Sequence, residues 1–336
     1  MTILVNAYCT ARDLPAISFP HDLVAQRDES DPEMQRHLSG FAGYILDGGE
    51  REMTSVRYAL LQHLFRTQHQ ISLNIESEQL EDLSLWAWAA NAVLFLPDGS
   101  VRDPNGAVLS DHEHGMPDDN AQLPYPQDAR QRKADSEIWL RNLLIDTPET
   151  LPPVVGEGEV LMRVPPDVAG RMRALFLVAV RAEGAGTAQQ IPIESMRQRM
   201  PDAFMHLTPK ETAFLRDASP DEQTVMNMSW RYESLFTLQW ACGLHSELPF
   251  PDTMCNVPAA AEIAMSTRTV QLRNTDEILS ELDRNYRLLW AARQAISENR
   301  DAPANIDGNV VVERQHALNW LVRFQQADWD DVDTPS

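Results

Sequence analysis

Val225-Met-Asn-Met-Ser-Trp-Arg-Tyr-Glu-Ser-Leu-Phe-Thr-Leu-Gln-Trp-Ala-Cys-Gly-Leu244 places large apolar side chains at Trp230, Tyr232, Leu235, Phe236, Leu238 and Trp240. At helical spacing these positions fall on every side of the cylinder, so the segment predicts one helix enclosed by others rather than lying on a surface. Gly243 stands where a C-cap is wanted. An enclosed helix needs neighbours, and the flanking sequence supplies them. Thr208-Pro209-Lys210-Glu211 and Ser219-Pro220-Asp221-Glu222 each offer a hydroxyl at N-cap, proline at N1 and glutamate at N3, which predicts helix starts at 209 and 220. Asn274 with Glu277 repeats the device ahead of the stripe Ile278, Leu279, Leu282, Tyr286, Leu289 and Trp290. Residues 128–336 are therefore expected to form a mainly α-helical domain.

Working back towards the N-terminus, the period changes. Ile3 to Tyr8 reads as a strand, His37 to Leu46 as a second strand closed by the turn Asp47-Gly48-Gly49, and Ile71, Leu73 and Ile75 alternate with polar neighbours as a half-buried third. Helices are expected after Thr54, along Val56, Leu60, Leu61, Leu64 and Phe65, and again over Leu80 to Ala90, before a strand at Val93 to Leu96. Asp98-Gly99 and Asn105-Gly106, each between apolar residues, are hairpin signals. The fold class is thus α+β: a small sheet domain over residues 1–115, a linker over 116–127 broken by Pro117, Pro124 and Pro126, then the helical domain. The proline-rich passage Pro148 to Gly158 is read as a loop inside that second domain.

Length agrees with this division, since 336 residues at roughly 150 per domain give about two. Fifty acidic against 28 basic residues leave a net charge of -22. Such a surface repels polyanions, so neither nucleic acid nor an anionic membrane is an expected partner. The longest clean apolar run, Ala174 to Val180, falls far short of the roughly 18 residues a membrane span needs. No basic residues precede Ile3 to Val5 and Asn6 follows at once, so a secretory signal is not expected. Three widely spaced cysteines, Cys9, Cys242 and Cys255, suit buried reduced thiols in the cytoplasm rather than a disulfide framework or a zinc knuckle. No metal and no cofactor is expected.

Four constellations could carry chemistry. Glu313-x-x-His316 puts a carboxylate and an imidazole on one helix face, the spacing of carboxylate-bridged di-iron sites, but such sites need two copies and one is present. Arg231 and Glu233, Asp283 and Arg287 at i, i+4, and Arg314 are charges in apolar company, which must be paired across helices or line a pocket for an anionic ligand. Asp111-His112-Glu113-His114, with Asp118 and Asp119, is a candidate cation site on the linker. Asp328, Asp330, Asp331 and Asp333 around Trp329 form an acidic end, read as a solvated tail, as docking against arginines of the same domain, or as a surface for a basic partner. Gly-rich phosphate loops, nucleophile elbows, H-E-x-x-H and paired CxxC motifs do not occur.

Several blocks in order resemble one bacterial family, domain of unknown function 4272: Trp230 to Glu233, Trp240 to Leu244, Glu247 to Asp252, Leu272-Arg273 with Glu277 to Leu279, Asp283 to Trp290, Val311 to Leu321, and Asp328 to Val332. The resemblance covers roughly 128 to 333. Gly43-Tyr44 and Ala89 to Ala92 through Asp98-Gly99 look like the extension of longer members. The resemblance implies a fold and a bacterial origin, and brings no substrate, cofactor or catalytic residue.

The expectation is a non-catalytic binding or interaction protein, one version being an acidic inhibitor of a basic partner, as in an immunity protein for a toxin. The alternative is a hydrolase or transferase acting on a small anionic molecule, with Glu313, His316 and Asp283 as catalytic candidates and Arg231, Arg287 and Arg314 as ligand-binding ones. It requires all six to converge on one concave site. No heptad run marks a self-association interface, and the oligomeric state is left open.

Overall fold

The computed structural model describes residues 1–47, 52–111, 117–185, 187, 191–266 and 269–336. They form two compact units, one of Met1–Gln131 with Val155–Val160 and one of Arg132–Val154 with Leu161–Ser336. The division falls a few residues past the expected start at 128, and Val155–Val160 counts with the first unit.

The first unit runs β1 (Thr2–Cys9), β2 (Asp22–Asp28), α1 (Met34–Leu46), α2 (Ser55–Phe65), β3 (His69–Glu76), α3 (Leu80–Ala89), β4 (Ala92–Phe95), β5 (Val101–Arg102) and β6 (Val108–Ser110). The sheet order is β2-β3-β1-β4-β5-β6, antiparallel throughout. Strand alternation sorts its core. Val5, Ala7 and Cys9 join Ile71, Leu73 and Ile75 beneath Leu83, Trp86 and Ala87 of α3. Tyr8, Val93, Val101 and Leu109 face the other way, against α1 and α2. Both hairpin signals lie at strand connections, and Gly99 (φ 81°) and Gly106 (φ 89°) supply the left-handed backbone such turns need.

The expected strand from His37 to Leu46 is corrected to helix α1. Phe41, Tyr44 and Ile45 favour strands singly, but Met34, Leu38, Phe41 and Ile45 are the buried residues, a 3.6-residue period. Asp47 ends the helix in a left-handed conformation (φ 50°), while Gly48 and Gly49 lie outside the described residues. Strand β2 escaped the sequence reading. None of its seven residues is buried, so no alternation marks it.

Val155–Val160 is tied into the first unit by a buried carboxylate. Glu159 accepts hydrogen bonds from the Thr10 hydroxyl (2.5 Å), the Asn91 amide nitrogen (3.0 Å) and the Gly156 backbone nitrogen (2.6 Å). A buried carboxylate persists only with such donors.

Beyond it follow α4 (Gln127–Asn142), α5 (Pro165–Glu183), α6 (Ile193–Arg199), α7 (Pro201–Met205), α8 (Pro209–Arg216), α9 (Glu222–Ser229), α10 (Arg231–Ala241), α11 (Val257–Ala264), α12 (Thr275–Ser297) and α13 (Gly308–Leu321). Helix α10 is the enclosed one: every residue after Arg231 is buried, with α5, α11 and α13 packed around it. The long central helix expected over Val225 to Leu244 is instead two helices meeting at Trp230. The two differ in burial: α9 packs only half-buried Val225 and Met228 against Val178, Ala182 and Phe214, whereas α10 is buried after its first residue. The start expected at 220 moves to 222, because Asp221 rather than Ser219 caps the helix, accepting from the Thr224 backbone nitrogen at 2.8 Å. The capping box at Thr208 and Glu211 and the Asn274 cap form as expected. All three cysteines are free and buried. Among the described residues, no helix is long and apolar enough to cross a membrane.

Candidate functional site

The charges singled out in the sequence are mostly consumed by one another. Arg231 of α10 reaches both carboxylate oxygens of Glu313 on α13 (3.1 and 3.0 Å), and the Ser234 hydroxyl adds a bond at 2.5 Å. Glu233 accepts from Arg314 Nε at 2.8 Å and from the Cys255 backbone nitrogen at 2.7 Å, and Arg314 continues to the Pro249 carbonyl at 2.6 Å. Both pairs bridge α10 to α13. Asp283 and Arg287 form a separate pair along α12 (2.8 and 3.0 Å), both with wholly buried side chains. Arg287 also holds the Pro152 carbonyl at 3.2 Å. Removing one partner of such a pair strands a charge, so Arg231, Glu233, Asp283, Arg287, Glu313 and Arg314 serve mainly as rivets between helices and loops.

His316 follows Glu313 by one turn and turns elsewhere. Its ring meets the edge of Trp329 at 4.6 Å. Burial, then the nearby Arg231 charge, push its pKa down to about 4, against a hydrogen bond to the Trp329 backbone that raises it. The imidazole is neutral at pH 7.

Trp329 leads to a large groove in the second unit, about 540 Å³ in volume. Four separate segments build it, one of them α13 through Trp320. Pro165 and Pro166 start α5 by supplying fixed φ at its first turn, which sets Arg163 just ahead of the helix and Asp167 and Arg171 on it. The α8 capping box brings Thr208 and Lys210, and the C-terminal segment contributes Asp328 to Asp331. Arg163 stacks on Trp320 at 4.5 Å and donates to the carbonyls of Trp320 (2.9 Å) and Ala327 (2.8 Å). Arg171 lies over Trp329 at 5.0 Å and pairs with Glu211. Asp330 accepts from the Lys210 backbone nitrogen at 3.0 Å, while the Lys210 ammonium donates to the Asp330 carbonyl at 2.7 Å. The acidic end is therefore docked: Trp329 and Val332 are buried, and Asn319 holds the Asp333 carbonyl at 2.8 Å.

Several buried polar atoms here have no hydrogen-bond partner: Arg171 Nε, Glu211 Oε1, Arg231 Nε, His316 Nε2 and Trp329 Nε1. At the rim the reverse holds. Asp167, Asp328 and Asp331 are exposed, and among the described residues none of them has an ion-pair partner.

Gly170 gives His206 its place on the groove wall, since a Cβ at position 170 would come within 2.4 Å of the imidazole ring. His206 is exposed and free to swing away. Gly170→Ala should therefore displace His206 and still gain up to about 1 kcal/mol from helix propensity. Urea unfolding and the His206 ring resonances check this; a loss above about 2 kcal/mol would show the imidazole to be fixed in place.

Sequence reasoning missed Arg163, Arg171, His206 and Lys210. The capping box was visible but read only as a helix start. Asp111 and Asp118 are described, whereas His112, Glu113 and His114 of the linker cluster lie outside the described residues; among those described, no group could hold a metal ion.

No curated protein and no solved structure matches this chain. A family model described as a domain of unknown function (DUF4272) matches residues 132–332, starting where the second unit starts.

Proposed function

The chain belongs to the DUF4272 family, and from that premise we propose that it is a non-catalytic binding protein that recognises a positively charged partner, in the manner of an acidic inhibitor. The observation that carries this reading is the commitment of Arg231, Glu233, Asp283, Arg287, Glu313 and Arg314 to mutual pairs, while exposed carboxylates around the groove stay unpaired. Net charge -22 supports it, because a field of that sign steers positively charged surfaces. The three free, buried thiols support a reducing, cytoplasmic setting. The reading as a hydrolase or transferase acting on a small anionic molecule draws no support from these residues, since a paired carboxylate and a neutral imidazole packed behind Trp329 present no convergent acid and base to a substrate.

Native mass spectrometry of protein purified gently from a bacterial host tests the proposal. A basic protein at fixed stoichiometry, released as salt is raised, is the expected result. A complex indifferent to ionic strength would contradict it.

A further inference from the structure

The sheet of the first unit ends in two edge strands, β2 and β6. An edge strand presents a row of backbone N–H and C=O groups with which another chain can pair. At β6 the chain answers that row itself. The Val108 nitrogen donates to Asp118 Oδ2, and the Val108 carbonyl accepts from the Asp118 nitrogen, both at 2.8 Å. At β2 it does not: among the described residues, the backbone of Asp22 to Arg27 has no hydrogen-bond partner outside β3.

The side chains of β2 specify what could pair there. Leu23 and Val24 are each 54% exposed, neighbours at the bulge between Leu23 and Ala25. Ala25 to Asp28 continue as a regular run. Carboxylates flank this apolar middle, Asp22 at the start and Asp28 and Glu29 at the finish, all exposed. Among the described residues none of the three has an ion-pair partner, and Asp28 accepts from the Ser30 nitrogen and hydroxyl in its own turn. The strand's one cation is engaged, since Arg27 donates to Gln70 Oε1 at 2.6 Å and lies 3.9 Å from Asp31.

An edge that reads acidic, apolar, acidic is complementary to a strand that reads basic, apolar, basic. A second copy of this chain lacks that pattern. Paired about Ala25, the middle residue of β2, it would set Asp22 against Asp28 at both ends, and like charges directly opposite destabilise a strand pair. Each copy would also bring a net charge of -22.

We propose that β2 is the docking edge for the positively charged partner, which adds an extended segment to the sheet as a seventh strand, apolar at its centre and basic at both ends. Main-chain hydrogen bonds supply the attachment and the flanking carboxylates choose the charge. The inference rests on the reading of this chain as a binder of a basic partner and gives that partner a place on the first unit.

Hydrogen exchange and calorimetric titration of the full chain test it. The probe is a capped eight-residue peptide with valine and threonine at its centre and two lysines at each end. It should bind saturably and slow exchange over Asp22–Asp28. The same peptide N-methylated at every second amide keeps its charge and loses its donors along one edge, and should bind about tenfold or more weaker. Glutamate in place of lysine should abolish binding. Asp22→Asn with Asp28→Asn, both at exposed positions, should weaken binding by about fivefold with Tm unchanged. Exchange slowed elsewhere but not over β2, equal binding of the N-methylated peptide, or unchanged affinity in the double Asn variant would each overturn the inference. A basic protein recovered by native mass spectrometry, released by salt yet leaving exchange over Asp22–Asp28 unaltered, would overturn the docking edge while the proposed function stood.

Discussion

Asp283→Ala is expected to destabilise the second unit by about 3–5 kcal/mol, the range for breaking a buried ion pair from one side. Asp283 takes two hydrogen bonds from Arg287, and neither side chain has any solvent exposure. Without the carboxylate, the guanidinium keeps only the Pro152 carbonyl and Glu137, 3.6 Å away. The Val154 backbone nitrogen, 3.4 Å from Asp283 Oδ1, loses its acceptor too. The loop carrying Pro152 and Val154 should loosen along with α12. Urea unfolding measures the loss. Adding Arg287→Met should recover most of it, because a matched apolar pair replaces the stranded charge. A cost below about 1 kcal/mol for the single variant would refute the riveting role. A normally stable Asp283→Asn protein that had lost a turnover would instead return Asp283 to the catalytic candidates.

Acid should weaken the protein well before its carboxylates are protonated. Burial and the neighbouring Arg66 charge push His63 down to about 3, although its ring nitrogen bonds the Tyr8 carbonyl at 2.9 Å. His316 sits at about 4. Both pKa values lie below the unfolded value of about 6.5, so between these limits the unfolded chain takes up protons that the native fold refuses. The stability these neutral rings contribute is complete above pH about 6.5 and is lost as pH falls towards 4. Each tenfold drop in a ring's proton affinity on folding is worth about 1.4 kcal/mol, so each ring should account for about 3 kcal/mol by pH 4. Denaturant midpoints at pH 7, 5.5 and 4.5 check the sign, and His316→Phe should flatten the slope for the second unit. Stability that is level across that range would show that both rings are protonated at no cost.

What could be read from the sequence was what neighbouring residues settle among themselves. The enclosure of α10, the box at Thr208 and the cap at Asn274 each depend on a few consecutive positions. Helix α1 was misread because Phe41, Tyr44 and Ile45 are strand-favouring one by one, and their common face shows only with Met34 and Leu38 counted in. β2 was invisible because an exposed edge strand has no inward side. The charges in apolar company were found as a class, and their mutual pairing was among the readings of them. The groove was not found, because its contacts join distant positions: Arg171 with Glu211 across 40 residues and Lys210 with Asp330 across 120. Glu211 reads locally as the N3 of a capping box and Asp330 as one of an acidic end, and neither reading names its distant partner.

The strap Val155–Val160 lies within the stretch that the family model matches, yet it folds with the first unit, where Glu159 is held by Thr10 and Asn91. What is inherited as one module and what folds as one body are thus different sets of residues. A gene rearrangement that joined residues 132–332 to another N-terminal half would carry along a carboxylate whose Thr10 and Asn91 donors had been left behind. Such a chimera would leave Glu159 only the Gly156 backbone nitrogen of its three donors, too little for a carboxylate to stay buried.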